Sequence, residues 1–126
     1  MELKDYQEKA MTTCMPSSAN FSYMFLNLVG EVGEFASKVA KHIRKEKISI
    51  GGSVNNLIPE CDLKEWENYE EELKKEAGDI LWQLSGVCSV LGWSLEEIAQ
   101  MNLDKLAARK AAGTIDGNGD GIIREK

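Results

Sequence analysis

Two short acidic motifs lie inside apolar, helix-like stretches of this 126-residue chain. The first spans residues 31–34 (EVGE) and the second spans residues 76–79 (EAGD). Residues three positions apart share one face of a helix, with Cβ atoms about 5–6 Å apart. Each motif therefore presents two carboxylates side by side. Four carboxylates around one volume repel one another unless cations neutralise them, so the two motifs together predict a metal site.

Apolar residues recur at helical spacing along most of the chain, and only two prolines interrupt it. This pattern predicts two long helices, over residues 19–45 and 62–91, which we expect to pack as an antiparallel pair. A capping box that begins at Ser94 and includes Glu97 predicts a further helix that ends at about Ala112. The predicted fold class is therefore all-α.

The shorter segments complete this architecture. A short helix is expected over residues 2–13, and residues 48–59, which contain a Gly-Gly pair and a proline, are expected to form a loop or a marginal hairpin. We predict a bundle of about four to five helices in a single domain over residues 1–112, with a glycine-rich tail over residues 113–126. Two long amphipathic helices leave apolar surface that one short chain cannot cover, so we expect oligomerisation, at least as a homodimer.

Composition excludes several classes of partner. The formal charge of −6 at pH 7 argues against nucleic-acid binding, which needs basic surface. No apolar run reaches the length of about 18 residues that a membrane span requires, and the N-terminus lacks the pattern of a signal peptide. Cys14, Cys61 and Cys88 lack metal-site spacing and are interpreted as reduced thiols. We expect a soluble, cytoplasmic protein.

The ligands of the predicted metal site are Glu31, Glu34, Glu76 and Asp79. Oxygen ligands alone suit a hard cation such as Mg²⁺ or Mn²⁺ rather than zinc. The alternative is a solvated face on which these carboxylates pair with lysines such as Lys38 and Lys75. A di-iron bundle would require Glu-x-x-His steps, which His42 does not provide. We interpret His42 as a surface residue near a helix end.

Three glycines flank the acidic motifs or lie within them: Gly30, Gly33 and Gly78. Each costs about 1 kcal/mol relative to alanine inside a helix. Their position therefore indicates that bulk is excluded beside the carboxylates. Either the two long helices approach each other closely there, or a ligand needs the space.

Four blocks of the sequence, taken in order, resemble the MazG-like nucleotide pyrophosphohydrolases. Residues 31–34 and 76–79 are similar to the two halves of the E-x-x-E and E-x-x-D signature of that family. Residues 102–110 (NLDKLAARK) are similar to its N-x-x-K-L-x-x-R-K run, and residues 113–120 (GTIDGNGD) to the tail of its short, single-domain, often phage-encoded members. The resemblance covers roughly residues 19–120.

The resemblance implies an all-α fold and Mg²⁺-dependent hydrolysis of a nucleoside triphosphate, or a deoxynucleoside triphosphate, to the monophosphate and pyrophosphate. It implies metal ligation by Glu31, Glu34, Glu76 and Asp79, and Glu34 would also orient or deprotonate the attacking water. Metal ions neutralise the triphosphate and lower the pKa of bound water. The resemblance also implies a homodimer or homotetramer, and a role in nucleotide-pool control or house-cleaning.

Side chains beyond the motifs are expected to complete the substrate contacts. Lys38 lies one turn after the first motif, and Gln83 lies one turn after the second, where its amide could read a base edge. Asn102, Lys105 and Arg109 share one side of the last predicted helix. The two cations are expected to contact phosphate, and Asn102 could bind metal-bound water, phosphate or sugar. These five residues are the predicted substrate contacts.

Two other functions remain open from the sequence. One is a pyrophosphohydrolase of another phosphorylated substrate, such as phosphoribosyl-ATP or an alarmone, because the spacing between the motifs is long and its excess falls in residues 46–65. The other is a non-catalytic helical dimerisation module. Residues 116–121 fit the first half of an EF-hand loop. The glutamate at position twelve and the exiting helix are missing, so we expect no calcium sensor.

Overall fold

The computed structural model describes residues 1–113 and is mostly helical. Within these residues the elements are α1 (Leu3–Met11), a 3-10 turn (Pro16–Ser18), α2 (Phe21–Arg44), β1 (Ile48–Gly51), β2 (Asn56–Pro59), α3 (Leu63–Val90) and α4 (Leu95–Ala111). The predicted all-α class and its helices are confirmed, and the segment left open between a loop and a hairpin is an antiparallel hairpin. The glycine-rich tail and its EF-hand-like segment lie outside the described residues. None of the described helices is both long and apolar enough to cross a membrane.

Side-chain caps set the starts of the three longest helices. Asn20 Oδ1, Asp62 Oδ1 and Ser94 Oγ each accept a hydrogen bond from the backbone N–H three residues later, at 2.8, 2.9 and 3.2 Å. Such a bond satisfies one of the N–H groups that the first turn of a helix leaves without a partner. After α3, Gly92 adopts a positive φ of 76°, which glycine tolerates and which ends the helix. These local signals fix the ends of the helices that carry the acidic motifs.

Helices α2 and α3 pack against each other as the predicted antiparallel pair. Near the C-terminal end of α2, His42 Nε2 lies 2.8 Å from Glu72 Oε1, early in α3. Near the N-terminal end of α2, Asn27 Nδ2 donates to Gln83 Oε1 at 2.9 Å, late in α3. Contacts at both ends therefore fix how far one helix is shifted along the other.

Helices α2 and α3 pack tightly against each other at Met24 and Gly86. The Met24 side chain is fully buried. A Cβ atom at Gly86 would overlap Met24 Sδ and would lie 2.7 Å from its Cε. Gly86 therefore provides the space that the thioether of Met24 fills.

The glycines of the acidic motifs do not have this role. An added Cβ at Gly33 or at Gly78 would meet no atom from elsewhere in the described chain within 4 Å, and at Gly30 it would meet only Asn27 Oδ1, at 3.7 Å. Of the two alternatives, a close approach of α2 and α3 at these three glycines is therefore excluded. The space beside them is open.

Helix α1 joins α4 to the long pair. Trp82 Nε1 on α3 donates to the backbone oxygen of Ala10 at 3.0 Å. Helix α1 also contacts α4: Gln7 Oε1 accepts the backbone N–H of Leu95 at 2.8 Å, and Glu96 Oε1 accepts the N–H of Lys4 at 3.1 Å. The start of α4 is therefore attached to the bundle through α1.

We expect Gly86→Ala to lower the free energy of unfolding by about 1–3 kcal/mol, because the added methyl must displace an enclosed side chain. Chemical unfolding in urea measures the change. The matched control is Gly78→Ala on the same helix, where the methyl has open space and should stabilise the protein by up to about 1 kcal/mol through helix propensity. Equal effects of the two substitutions would contradict the proposed packing.

Candidate metal-binding site

Three of the four predicted ligands meet between α2 and α3. Glu31, Glu76 and Asp79 each bring one carboxylate oxygen to within 4.8 Å of the others. Glu31 and Glu76 are half-buried, whereas Asp79 is exposed. Glu31, the first residue of the first motif, thus faces both acidic residues of the second motif. This arrangement of oxygen donors suits a hard divalent cation.

The electrostatics of the group favour a bound positive charge. Partial burial raises the pKa of Glu31 above its ordinary value, and the charges of Asp79, Glu76 and Glu34 raise it further, in that order. Burial and like charges both disfavour an ionised carboxylate, and a cation placed among these oxygens would reverse both effects. The residues present therefore fit a metal ion.

Glu34 occupies a different position from the other three carboxylates. It is exposed and does not belong to the group of three that lies within 4.8 Å. Its charge nevertheless raises the pKa of Glu31, so it acts on the same site. The structure thus separates one predicted ligand, which lies at the edge of the site, from the three that converge.

Lys38 is the cation beside this group. Its Nζ lies 3.6 Å from Glu72 Oε2 and 3.8 Å from Glu76 Oε2. The alternative of a solvated face that pairs with lysines holds only for Glu76. Among residues 1–113, no ion pair involves Glu31, Glu34 or Asp79, and Lys75 pairs with Glu71 at 3.4 Å on the exposed side. Within these residues, most of the negative charge of the site is therefore not neutralised by a cationic side chain.

The sequence did not identify His42 and Glu72 as residues that contact each other beside the acidic group. His42 is only 2% exposed, and its ring lies 3.9 Å from the ring of Tyr69, so the interpretation of His42 as a surface residue is wrong. Packing of α2 on α3 covers it. Its hydrogen bond holds the pKa of Glu72 below the ordinary value, with help from Lys38. The available signal was that Glu72 precedes Glu76 by four residues, which places both on one helix face.

Gln83 lies in the helix interface. It is 3% exposed, its Oε1 accepts from Asn27, and its Nε2 donates to the backbone oxygen of Met24 at 3.3 Å. Both ends of the amide are thus bonded to α2. The predicted base contact requires an amide that faces open space, and the position of Gln83 does not provide one.

The predicted contacts on α4 differ in exposure. Asn102 and Lys105 are exposed, and Arg109 is buried. Within the described part of the chain, no hydrogen bond or ion pair joins Asn102 or Lys105 to the acidic residues. The structure leaves their contact with a substrate as a prediction.

Residues 20–113 match the family model described as the MazG nucleotide pyrophosphohydrolase domain. The Gene 37 protein of Mycobacterium phage L5 is similar to this chain, with 35% identity over 104 residues. The alignment covers 82% of this chain and 78% of that protein. No solved structure matches the chain at a significant level. The matched region includes α2, α3 and α4, and with them both acidic motifs.

We expect metal-free wild-type protein to lose stability as pH rises from the ordinary pKa of a glutamate through the raised pKa of Glu31. The folded state binds the Glu31 proton more tightly than the unfolded chain does. This contribution to stability is lost once Glu31 is ionised in both states. Glu31→Gln should remove this loss. Thermal unfolding across this pH range in EDTA measures it.

Addition of Mg²⁺ should make the wild type more stable than Glu31→Gln, which is the reverse of the order expected in EDTA. At a concentration about 100 times the dissociation constant, Mg²⁺ should stabilise the wild type by about 2.7 kcal/mol, and it should stabilise Glu31→Gln much less. Glu71→Gln, which removes an exposed carboxylate on α3, is the control and should respond as the wild type does. An equal gain in Glu31→Gln would exclude Glu31 as a ligand.

Proposed function

The chain belongs to the MazG nucleotide pyrophosphohydrolase family, and on this premise we propose that it hydrolyses nucleoside triphosphates to the monophosphate and pyrophosphate with Mg²⁺. One observation carries the proposal: Glu31, Glu76 and Asp79 converge from two facing helices. A scaffold gains nothing from this arrangement, because crowded carboxylates destabilise a fold unless a cation joins them. The convergence therefore favours the enzyme over a purely structural helical module.

In this proposal each acidic or basic side chain of the site has its own role. Glu31, Glu76 and Asp79 hold the cation, for which Mn²⁺ is an alternative to Mg²⁺. When bound, such an ion neutralises phosphate charge and activates water for attack on phosphorus. Glu34, exposed at the edge of the site, orients that water or accepts its proton, and it completes the ligand set where the ion requires a fourth carboxylate. Lys38 offers its ammonium to the phosphate chain.

Helix α4 is proposed to complete the substrate site. Asn102 and Lys105 are exposed polar side chains one turn apart, and Arg109 follows Lys105 by one more turn. An amide and two cations along one side of a helix suit a ligand with several phosphate groups. Gln83 acts differently in this proposal, since its two hydrogen bonds to α2 hold the helix that carries the second motif in register.

The proposal also includes a cellular location and role. Cys14, Cys61 and Cys88 are free thiols, which fits a reducing compartment such as the cytoplasm. Burial raises the pKa of the Cys88 thiol, so this thiol is kept in its unreactive protonated form. Hydrolysis of triphosphates there would serve nucleotide-pool control or house-cleaning.

We expect a panel of ribo- and deoxynucleoside triphosphates, incubated with protein and Mg²⁺, to yield the monophosphate and pyrophosphate from at least one member. Product separation by ion-exchange chromatography measures both. Phosphoribosyl-ATP and an alarmone belong in the panel, because turnover of one of them alone would favour the alternative substrates. A diphosphate with free phosphate, or no turnover of any compound, would contradict the proposed reaction.

Asp79→Asn and Glu76→Gln should each reduce kcat by at least about 100-fold, since even residues behind the metal ligands cost 10- to 100-fold when they are replaced. The matched control is Glu71→Gln, an exposed carboxylate on the same helix that should retain wild-type kcat. Thermal unfolding of each variant in EDTA separates loss of activity from loss of the fold.

A second copy of the chain is proposed to cover the outward face of α2. This face carries Phe25, Leu26, Val29 and Val32, which are 45, 68, 59 and 51% exposed. Few monomers leave a continuous row of large apolar side chains in water. A homodimer that pairs these faces would build a four-helix core from two α2–α3 pairs, and a homotetramer would follow as a dimer of dimers.

Light scattering after size exclusion should give the wild type at least twice the monomer mass of 14.0 kDa at micromolar concentration. Val29→Lys should shift the protein to the monomer, because it places an ammonium in the apolar contact. Leu63→Lys is the control, since Leu63 is 71% exposed but lies outside this face, at the start of α3. A wild-type monomer would contradict the proposed assembly.

A further inference from the structure

Glu72 connects the acidic site to a buried residue on the other helix. Its Oε1 lies 2.8 Å from His42 Nε2, and its Oε2 lies 3.6 Å from Lys38 Nζ. The same ammonium lies 3.8 Å from Glu76 Oε2. A continuous chain of contacts therefore runs from His42 through Glu72 and Lys38 to Glu76.

His42 and Lys38, the two residues that contact Glu72, differ in how closely the surrounding structure holds them. The side chain of His42 is 3% exposed, and its ring packs against Tyr69 at an interplanar angle of 35°, so the direction of its Nε2 is fixed by packing. Lys38 has a long flexible stem and a side chain that is 30% exposed, and such a residue loses much rotamer freedom when it is held in place. Glu72 lies between them and connects the fixed ring to the flexible ammonium.

The distances also show how Lys38 is shared. Separations of 3.6 and 3.8 Å exceed the range of about 2.7–2.9 Å for a strong charge-assisted hydrogen bond. The ammonium thus lies between the carboxylates of Glu72 and Glu76 and is not bound tightly to either. A cation held in this way retains N–H donors for another anion.

We propose that Glu72, held by His42, positions the Lys38 ammonium to bind the phosphate chain of the substrate. This inference rests on the proposed function. Lys38 contacts substrate, whereas Glu72 and His42 act through it and are positioning residues. The charge of Glu72 also keeps Lys38 from pairing fully with Glu76, which leaves the Glu76 carboxylate available to the metal.

Glu72→Gln tests the role of the charge, since the amide keeps the shape of the side chain and an oxygen for the hydrogen bond from His42. With Mg²⁺ present, calorimetry should show about tenfold weaker binding of pyrophosphate. KM for the triphosphate should rise similarly, with a smaller change in kcat. Glu71→Gln, which breaks only the exposed pair with Lys75, is the control and should bind pyrophosphate as the wild type does.

Mn²⁺ binding without pyrophosphate distinguishes positioning from direct metal ligation. In Glu72→Gln the affinity for Mn²⁺, measured by electron paramagnetic resonance, should change far less than the affinity for pyrophosphate. An equal loss of both would make Glu72 a metal ligand and would overturn the proposal. Unchanged binding of pyrophosphate would overturn it as well.

Two substitutions of His42 separate the hydrogen bond from the packing. His42→Gln keeps a donor near the position of Nε2 but loses the ring, whereas His42→Phe keeps a ring against Tyr69 and loses the donor. Pyrophosphate binding should be weakened in His42→Phe and largely retained in His42→Gln. The reverse order would assign His42 a packing role only and would overturn this part of the proposal.

Failure of this inference can be distinguished from failure of the proposed function. Wild-type turnover with pyrophosphate binding that does not depend on Glu72 would leave the hydrolase and exclude the positioning role. Absence of turnover, together with pyrophosphate binding that does depend on Glu72, would exclude the hydrolase and support an anion site. A wild type that binds Mn²⁺ but shows neither turnover nor pyrophosphate binding would overturn both.

Discussion

The antiparallel contact between α2 and α3 is the interaction on which the rest of the structure depends. Met24 fills the space above Gly86 at one end, and His42 contacts Glu72 at the other. Because both ends are fixed by buried side chains, one helix cannot slide along the other by a turn without the loss of several contacts. This register is what brings Glu31 to the carboxylates of the second motif.

The site concentrates negative charge that the side chains of residues 1–113 neutralise only in part. Lys38 compensates Glu72 and one oxygen of Glu76, and His42 adds a hydrogen bond to Glu72. The remaining carboxylates of the motifs stay without a cationic partner among the described residues. The packed helix pair supports this unfavourable arrangement, which is the relation expected between the proposed active site and its scaffold. A bound metal ion would convert the repulsion into attraction, so ligand binding and stability are coupled at this site.

The small size of the chain explains its exposed apolar face. Among residues 1–113 the buried apolar residues are few: Met24, Ile48, Leu73, Val87, Cys88 and Leu95. One pair of long helices can bury only the sides that face each other, and a short domain has little else to place on the outer sides. In the proposed dimer, the same helix α2 would use one face for the metal site and the opposite face for assembly.

The sequence by itself determined the helical elements and the composition of the site. Helical periodicity and the cap at Ser94 depend on residues within a few positions of one another, so they can be read without knowledge of the fold. For the same reason, the carboxylates of Glu31 and Glu76 could be assigned to helices, each with an acidic neighbour three residues later. The four motif blocks were enough to indicate the family.

The tertiary structure decided which of these residues meet. The convergence of three carboxylates without Glu34, the burial of His42, the inward direction of the Gln83 amide and the role of Gly86 all depend on contacts between residues 30 or more positions apart. Such contacts follow from the shift and rotation of one helix against another. An amphipathic pattern shows which face of a helix is buried, but it does not encode that shift, and only the packed helix pair provides it.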